Sequence, residues 1–343
     1  MRIAQLATNV ERVPPAGYGG TELVVSLLSE GFVSRGHDVT LFGTGDSQTT
    51  AKLISVIDKP LRSDGGQSQS RWPAYDINLL MRLEDMQDQF DIIHNHLGWQ
   101  ALPFLSRFSC PVVTTNHNLI KDYCAEIYLR FKAMNYVAIS ETYKRLNYPD
   151  KLNYVSVIYN GIKCDDFDPS SAKRDYLLFI GRLGKDKGTA DAMEIAKKLN
   201  LPLKLAGKVD ANDRDYFTKE VEPRLSWPGM EFIGEVNAEQ KRELYANAIA
   251  VVYPIAFDEP FGLVMAESLA SGTPVMAFRR GAVPEILRDG ETAVIGNTVD
   301  ELVAKFPTIR GISRQACVDS VRASFDSEQM ISNYEKLFTK LIG

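Results

Sequence analysis

The sequence predicts an α/β fold made of two Rossmann-like domains, each with a parallel sheet. Three observations support this: a length of 343 residues, apolar β-rich runs that alternate with helical segments, and a turn-rich interruption near the middle. A chain of this length divides better into two domains of about 150 to 170 residues than into one core. Buried strands separated by helices favour parallel sheets with right-handed crossovers. Such sheets bind ligands at the carboxyl ends of their strands, so we expect a cleft there between the two domains.

The first half opens with a strand at residues 2–7, and a helix follows from about Thr21 with apolar residues at helical spacing. Residues 50–72 are rich in Ser, Gly and Gln and predict a mobile surface loop. Residues 160–171 are acidic and turn-like, which predicts a linker. The other strands of this half are expected at residues 39–42, 92–94, 112–115, 136–139 and 155–159.

A second series of strands and helices follows the linker. Asn237 with Gln240 resembles a capping box at the start of a helix. We expect strands at residues 176–180, 203–206, 231–233, 250–253 and 274–278, and helices at residues 189–199, 238–248, from about Phe261, 313–323 and 327–341.

Composition and charge exclude several classes of protein. The net charge of -5 argues against a nucleic-acid partner. No run approaches the ~20 apolar residues of a membrane-spanning helix, and the first residues lack the pattern of a signal peptide, so we expect a cytoplasmic protein. The four cysteines lie far apart without CxxC spacing, which favours buried free thiols.

The strongest local signal is the run from Asp258 to Glu267, which leaves a buried strand and enters a helix. Pro260 and the residues after it suit a first helical turn, whose unpaired N–H groups attract phosphate. Glu259 and Glu267 would lie at most ~12 Å apart along the helix axis, which suits a sugar and a ribose at the two ends of a diphosphate. The alternative is that Glu259 is a first-turn charge and Glu267 an exposed helical residue.

A basic signal follows the first strand of the second series. Arg182 offers a forked donor to phosphate oxygens, and Lys187 adds a compact charge; together they can stabilise a departing diphosphate without a metal. The alternative is a charged turn that caps the next helix. Asp166 and Asp168 resemble a metal-binding DxD, but they lie in the linker, so a turn is the better interpretation and we assign no metal.

Two features of the first half are weaker. The glycine cluster at Gly19 and Gly20 follows the first strand but fails as a dinucleotide fingerprint, because Glu22 replaces its third glycine. Three histidines end nearby strands. Zinc binding by all three is conceivable, but His117 as a hydrogen-bonding or acid/base group is the better hypothesis, with His94 a core or capping residue. The three histidines are His94, His96 and His117.

Taken together, these residues resemble the retaining family 4 glycosyltransferases, which have the GT-B fold of two facing Rossmann-like domains. The resemblance implies an acceptor-side domain of residues 1–165, to which a C-terminal helix at residues 327–343 crosses back, and a donor-binding domain of residues 166–326. It covers nearly the whole chain and depends on these motifs: GGTE at 19–22, DIIHNHLGW at 91–99, TNH at 115–117, YNGI at 159–162, GR at 181–182 with KG at 187–188, FIG at 232–234, EPFGL at 259–263 with AE at 266–267, and the run from Phe325 to Tyr334.

Carried over by position, the family pattern implies that Arg182 and Lys187 hold the diphosphate and that Glu267 binds the ribose hydroxyls. Glu259 would bind the transferred sugar, and His117 would approach the sugar ring. The other implied contacts are Phe261, Gly262 and Leu263 with sugar and phosphate, Gly234 and Val236 with the base, Gly19 and Gly20 with phosphate, and His96 near the acceptor. Arg279 and Arg280 depart from the pattern, since many relatives have small residues there.

The resemblance implies a retaining, metal-independent glycosyltransferase without a cofactor. It would move a sugar from a UDP-, GDP-, ADP- or TDP-sugar to a hydroxyl acceptor. The alternatives are a GT-B-fold epimerase, hydrolase or phosphorylase, and a nucleotide-sugar-binding module without catalysis; an oxidoreductase is more distant. The sequence leaves open the sugar, the base, the acceptor, the oligomeric state and any docking on a membrane surface.

Overall fold

The structure is a computed structural model that describes residues 1–17, 19–64, 69–169 and 174–343. It divides into two compact units, the first formed by Met1–Gly161 with Ser327–Gly343 and the second by Ile162–Asp326. The sequence prediction drew this boundary at residue 165. Each unit contains one parallel sheet with helices between its strands, so the predicted fold class is confirmed.

The first unit contains a seven-stranded sheet of order β3-β2-β1-β4-β5-β6-β7. The strand order reverses beside β1, which pairs with both β2 and β4. Ligands of open parallel sheets bind next to such a reversal. The strands are β1 (Arg2–Leu6), β2 (Asp38–Phe42), β3 (Lys52–Ile54), β4 (Ile92–Asn95), β5 (Val112–Thr115), β6 (Asn135–Ala138) and β7 (Tyr154–Val157). The helices of this unit are Gly20–Ser34, Trp72–Glu84, Leu102–Leu105, Asp122–Arg130, Glu141–Leu146 and Ser327–Ile342.

The second unit contains a six-stranded sheet of order β10-β9-β8-β11-β12-β13. Its order reverses beside β8, which pairs with β9 and β11. The strands are β8 (Tyr176–Ile180), β9 (Leu203–Ala206), β10 (Met230–Gly234), β11 (Ala248–Tyr253), β12 (Val275–Phe278) and β13 (Ala293–Gly296). The α-helices are Thr189–Leu199, Arg214–Tyr216, Ala238–Asn247, Leu263–Ala270, Val283–Ile286, Val299–Gly311 and Arg314–Phe325.

The strands supply the hydrophobic core of each unit. In the second unit, Phe179 of β8 and Val252 of β11 pack with the buried face of helix Thr189–Leu199. In the first unit, Leu6 of β1 and Ile93 of β4 belong to a similar cluster. Strands that are covered on both faces need apolar side chains at successive positions, which explains the continuous apolar runs in the sequence.

The prediction of one mobile surface loop at residues 50–72 is wrong where the segment forms regular structure. β3 at Lys52–Ile54 pairs with β2, and a 3-10 helix follows at Leu61–Asp64 with Leu61 buried. Residues 65–68 of that loop, and residues 170 and 171 of the predicted linker, lie outside the described residues. The prediction also missed β13. Both strands lie at sheet edges and have only three or four residues, so neither leaves a long apolar run in the sequence.

Helix Ser327–Ile342 packs on helix Gly20–Ser34 within the first unit. A side chain at Gly31 would come within 2.3 Å of Ile331 Cδ1, and Arg35 pairs with Glu328 and Glu335. The predicted capping box of Asn237 is confirmed, and Cys124, Cys164 and Cys317 are buried free thiols while Cys110 is half-buried. Across the described ranges, no helix combines the length and the apolarity needed to cross a bilayer.

Candidate functional site

The segment between β11 and helix Leu263–Ala270 carries the strongest sequence signal. Gly262 is the residue before the helix and adopts a left-handed conformation with φ +88. The helix therefore begins at Leu263, two residues after the predicted start at about Phe261. A side chain at Gly262 would come within 2.6 Å of Met265 Cε and 3.1 Å of Glu259 Cγ. Phe261, the residue before it, is buried. Because Gly262 has no side chain, the chain can turn sharply into the helix there and keep Glu259 close to the start of the helix.

Glu259 is buried and bound on one oxygen by two donors. Its Oε2 accepts from Lys187 Nζ at 3.2 Å and from Tyr253 OH at 2.5 Å. The same lysine lies over the Phe257 ring, 4.6 Å from its centroid. Tyr253 is the last residue of β11, and Lys187 lies in the loop after β8, so two neighbouring strands supply the donors.

Glu267 is also buried, with 4 % of its surface exposed. Its Oε1 accepts from Lys241 Nζ at 2.5 Å and its Oε2 from Tyr245 OH at 2.9 Å. Burial and the neighbouring carboxylate raise the pKa of Tyr245 well above its usual range. The hydroxyl therefore stays protonated and donates a hydrogen bond to Glu267. The alternative of an exposed helical residue is wrong for Glu267.

Arg182 follows β8 and is surrounded by carboxylates. Its guanidinium bonds to Asp213 and to Asp186 Oδ2, the latter at 2.5 Å, and its Nε lies 3.8 Å from Asp210 Oδ2. Asp186 also accepts a backbone bond from Ala256 N at 2.8 Å, which joins the loop after β8 to the loop after β11. The two predicted basic and acidic motifs are thus held together.

Gly281 supports Glu259 from the segment after β12. It has φ +54, and a side chain there would lie 2.1 Å from Glu259 N and 2.3 Å from Glu259 O. Ala282 N donates to Glu259 O at 2.8 Å, and Gly281 N donates to Asp258 Oδ1 at 3.0 Å. Close approach of two backbones requires glycine here. Arg279 and Arg280, which precede it, are exposed.

Gly234 is the last residue of β10, and Val236 lies between β10 and the helix that carries the partners of Glu267. Gly234 has φ +85 with open space where a side chain would be, and Val236 is half-buried. Helix Ala238–Asn247 follows directly, with Lys241 and Tyr245 one turn apart on it. The loop after β10 and Glu267 are therefore connected through one helix.

The remaining predicted residues lie in the first unit. Gly19 and Gly20 begin helix Gly20–Ser34 after the loop from β1; Tyr18, inside the predicted glycine cluster, is outside the described residues. A side chain at Gly19 would come within 2.6 Å of Pro15 Cβ. Glu22, on the first turn of this helix, is buried and accepts from Thr8 Oγ1 at 2.7 Å.

The three clustered histidines form hydrogen bonds with one another or with nearby polar side chains. His94 is a completely buried core residue whose Nε2 lies 2.9 Å from Thr115 Oγ1. His96 Nδ1 lies 2.9 Å from His117 Nε2, and its Nε2 lies 3.1 Å from Gln5 Oε1. Among the residues that the structure describes, no group of three or more His, Cys, Asp or Glu side chains is arranged to hold a metal ion. Burial lowers the pKa of His117 to about 4, so its ring is neutral at neutral pH.

The linker carboxylate Asp166 ends a 3-10 turn, Cys164–Asp166. Its oxygens lie 3.5 Å from Lys163 Nζ and 3.9 Å from Arg242 Nη1. Asp166 N donates to Lys163 O at 3.1 Å, as in a turn, which agrees with the interpretation of this acidic run as turn-forming.

Sequence reasoning missed the side chains that hold the two glutamates. Tyr253, Tyr245 and Lys241 belong to no local motif, and they lie between 6 and 26 residues from the glutamate they contact. The sequence also singles out Arg279 and Arg280 but does not predict the contact of Gly281 with Glu259. The signal that could have found Tyr253 is a polar hydroxyl at the end of an otherwise apolar strand, directly before the predicted site.

Comparisons with known proteins cover both units. The family described as Glycosyltransferase Family 4 matches residues 18–166, and that described as Glycosyl transferases group 1 matches residues 165–309. An uncharacterised glycosyltransferase of Methanocaldococcus jannaschii is 26 % identical over 320 residues, which cover 80 % of either chain.

Solved structures show the same fold. Sucrose-phosphate synthase from Thermosynechococcus elongatus has a TM-score of 0.80 at 18 % identity, over 99 % of this chain and 98 % of its own. The Anabaena protein HepE, solved in complex with UDP and glucose, has a TM-score of 0.77 at 18 % identity, over 99 % of this chain and 100 % of its own.

Proposed function

Because the chain belongs to the family 4 glycosyltransferases and has their GT-B fold, we propose that it is a retaining, metal-independent transferase that moves a sugar from a nucleoside-diphosphate sugar to a hydroxyl acceptor. The observation that carries the proposal is the Lys187–Glu259 pair, which joins a cation and a buried carboxylate at the ends of two neighbouring strands. A diphosphate needs cations, and a sugar needs hydroxyl acceptors.

In this proposal the second unit binds the donor. Arg182 and Lys187 hold the diphosphate, Glu259 accepts from hydroxyls of the transferred sugar, and Glu267 accepts from the ribose. The N-terminus of helix Leu263–Ala270 adds backbone N–H groups of Gly262 and Leu263, with Phe261 before them, for sugar and phosphate. Gly234 and Val236 offer backbone groups to the base. The cations and helix end supply the charge that a bound metal supplies in other transferases, which supports metal independence.

The first unit contributes the remaining groups in this proposal. Gly19 and Gly20 allow the backbone to approach a phosphate, and His117 bonds to the sugar as a neutral imidazole, since burial lowers its pKa to about 4. His96 lies beside it, on the acceptor side. A neutral ring can donate or accept a hydrogen bond without repelling the positive charge that develops at the anomeric carbon.

The proposed reaction replaces one bond at the anomeric carbon. The bond to the β-phosphate oxygen breaks, its electron pair leaves with the nucleoside diphosphate, and the acceptor oxygen bonds to the carbon on the same face. The acceptor proton passes to the departing phosphate oxygen. Arg182 and Lys187 stabilise the leaving oxygen as its charge grows, and that charge in turn stabilises the oxocarbenium-like sugar. In this proposal no residue that the structure describes acts as a covalent nucleophile, so the acceptor attacks on the front face.

The structure of HepE in complex with UDP and glucose supports a nucleotide-sugar donor for this chain. The sugar and the base that this chain uses are determined by experiment. A thermal-shift screen with UDP-, GDP-, ADP- and TDP-sugars identifies the donor, since a bound ligand raises the melting temperature by mass action. The donor is then incubated alone and with a panel of hydroxyl acceptors, with and without EDTA.

We expect a glycoside with the anomeric configuration of the donor, formed only with acceptor and at the same rate in EDTA, as checked by NMR of the product. Glu259→Gln should lose this activity, while Glu291→Gln, an exposed glutamate of the same unit, should keep it. Inversion, loss of activity in EDTA that Mg²⁺ restores, or equal donor consumption without acceptor would each overturn the proposal. Binding without turnover would indicate a binding module.

A further inference from the structure

The two glutamates of the candidate donor site are held in the same way. Each carboxylate accepts from one tyrosine hydroxyl and one lysine ammonium: Tyr253 and Lys187 for Glu259, and Tyr245 and Lys241 for Glu267. We propose that the two tyrosines are positioning residues, Tyr253 for the sugar half of the donor and Tyr245 for the ribose half. This inference rests on the proposed function and extends it to residues outside the glutamate motif.

Tyr253 fixes which oxygen of Glu259 remains for a ligand. Both donors bond to Oε2, so Oε1 is the oxygen that can accept from a sugar hydroxyl. Lys187 has a second task in the proposed function, because its charge is also needed by the diphosphate. When the lysine turns to phosphate, the tyrosine still holds the carboxylate. Tyr253 is suited to this, since it ends a buried strand and only 5 % of its surface is exposed.

Tyr245 acts on Glu267 from a helix. It is completely buried, and its ring packs edge-on against that of Phe167, with centroids 6.5 Å apart and an angle of 61° between the rings. Lys241 lies four residues earlier, on the same face of helix Ala238–Asn247, so both donors approach the carboxylate together. One bond is made to each oxygen, which leaves a second lone pair on each for the two hydroxyls of a ribose.

The size of the expected effect follows from the role of a positioned carboxylate. A hydrogen bond to a charged group is worth enough to change binding roughly 10-fold or more, and a misplacement of about 1 Å can cost ~100-fold in rate. Removing only the tyrosine hydroxyl keeps the ring and its packing. Phenylalanine is therefore the informative substitution at both positions.

The experiment compares Tyr253→Phe, Tyr245→Phe and a matched control, Tyr154→Phe, in the full chain. Tyr154 lies in the other unit, and its hydroxyl donates to a backbone oxygen, that of Asn147, at 2.8 Å. UDP, GDP, ADP and TDP are titrated by calorimetry into the wild type, and the tightest is used for all variants. With the hydroxyl acceptor found in the panel above, release of the nucleoside diphosphate from the corresponding UDP-, GDP-, ADP- or TDP-glucose or mannose gives kcat and KM.

We expect a crossed pattern. Tyr245→Phe should weaken binding of the nucleoside diphosphate about 10-fold, while Tyr253→Phe should leave that binding unchanged and lower kcat by at least ~10-fold. The control should match the wild type in both. A merely structural defect would move both quantities together and lower the melting temperature.

Wild-type behaviour in both tyrosine variants, or equal losses in both measurements, would overturn the inference while the proposed function stands. If the wild type binds none of the four nucleoside diphosphates, the proposed function fails and the positioning roles fail with it. Loss of nucleoside-diphosphate binding in Tyr253→Phe alone would reverse the assignment of the two halves and equally overturn it.

Discussion

Lys187 Nζ lies 3.2 Å from Glu259 Oε2, in a pair whose side chains are only 16 % and 12 % exposed. Water screens such a pair much less than an exposed one, so each partner strongly affects the other. The pair also joins the loops after β8 and β11, which carry the two motifs that the sequence marks most clearly. A substitution in one motif should therefore alter the contribution of the other motif to activity.

We expect Lys187→Ala and Glu259→Gln each to lower kcat/KM by at least ~100-fold, because each removes transition-state stabilisation comparable to that of an oxyanion donor. The double variant should lose far less than the ~10,000-fold product of the two effects, since residues in contact are not additive. Steady-state kinetics with the donor identified by thermal shift provide the measurement. The matched control is the exposed pair Lys198–Asp300, whose alanine variants should retain activity. Strict additivity would show that Lys187 and Glu259 act independently.

Gly281 is expected to be essential for the placement of Glu259. A Cβ in Gly281→Ala would lie 2.1 Å from the Glu259 backbone nitrogen, so the loop must shift and carry the carboxylate with it. We expect a loss of at least ~100-fold in activity, together with a lower melting temperature.

Gly290→Ala is the matched control for Gly281→Ala. Gly290 also has a positive φ, +83, but no atom lies within 4 Å of the position of its Cβ. It should incur only the backbone cost of about 1–2 kcal/mol and keep its activity. Similar activity losses in both variants would show that the contact with Glu259 is unimportant.

Sequence reasoning predicted the elements that depend on local patterns. The buried strands and the capping box at Asn237 have short-range causes, namely continuous apolar runs and an N-cap with its Gln240 partner. The glutamates could be singled out because Pro260 and Gly262 mark the turn between them. These signals lie within about ten residues of the feature that they predict.

The parts that the sequence did not predict depend on pairings between distant segments. Tyr245 and Lys241 reach Glu267 only because β10 and β11 place their helix beside helix Leu263–Ala270. Edge strand β3 exists because β2 offers it a partner. The carboxylates around Arg182 come from as far as Asp213. A single sequence contains no direct record of such contacts, since each depends on the whole sheet order.

The carboxylates around Arg182 should weaken its hold on a diphosphate. Asp186 and Asp213 bond to its guanidinium, so a phosphate must compete with them. We expect Asp213→Asn to tighten nucleoside-diphosphate binding roughly 3- to 10-fold, since it removes one negative charge close to the ligand. Calorimetric titration measures this, and Asp215→Asn, on the adjacent helix, serves as the charge-matched control. Weaker binding in Asp213→Asn would instead show that the aspartate holds Arg182 in its binding position.

The buried histidines should make the protein less stable in acid. Burial lowers the pKa of His117 to about 4, and burial, together with the neighbouring histidines, lowers those of His94 and His96 well below 6.5. Between pH 6.5 and 4 these histidines bind protons in the unfolded chain but stay neutral in the folded chain. The free energy of unfolding should therefore be fully retained above pH 6.5 and fall with pH below it, by about 1.4 kcal/mol per pH unit for each histidine.

Urea unfolding at pH 7, 6 and 5 measures this slope, and His94→Gln isolates one contribution to it. The variant loses a titrating group that bonds to Thr115 but has no part in the proposed donor site. Its stability at pH 7 should fall, because a buried polar side chain is replaced by another of different shape. Between pH 6 and 5, however, its slope should be shallower than that of the wild type by about 1.4 kcal/mol per pH unit. Parallel slopes for the two proteins would mean that His94 takes up a proton in the folded state as readily as in the unfolded chain.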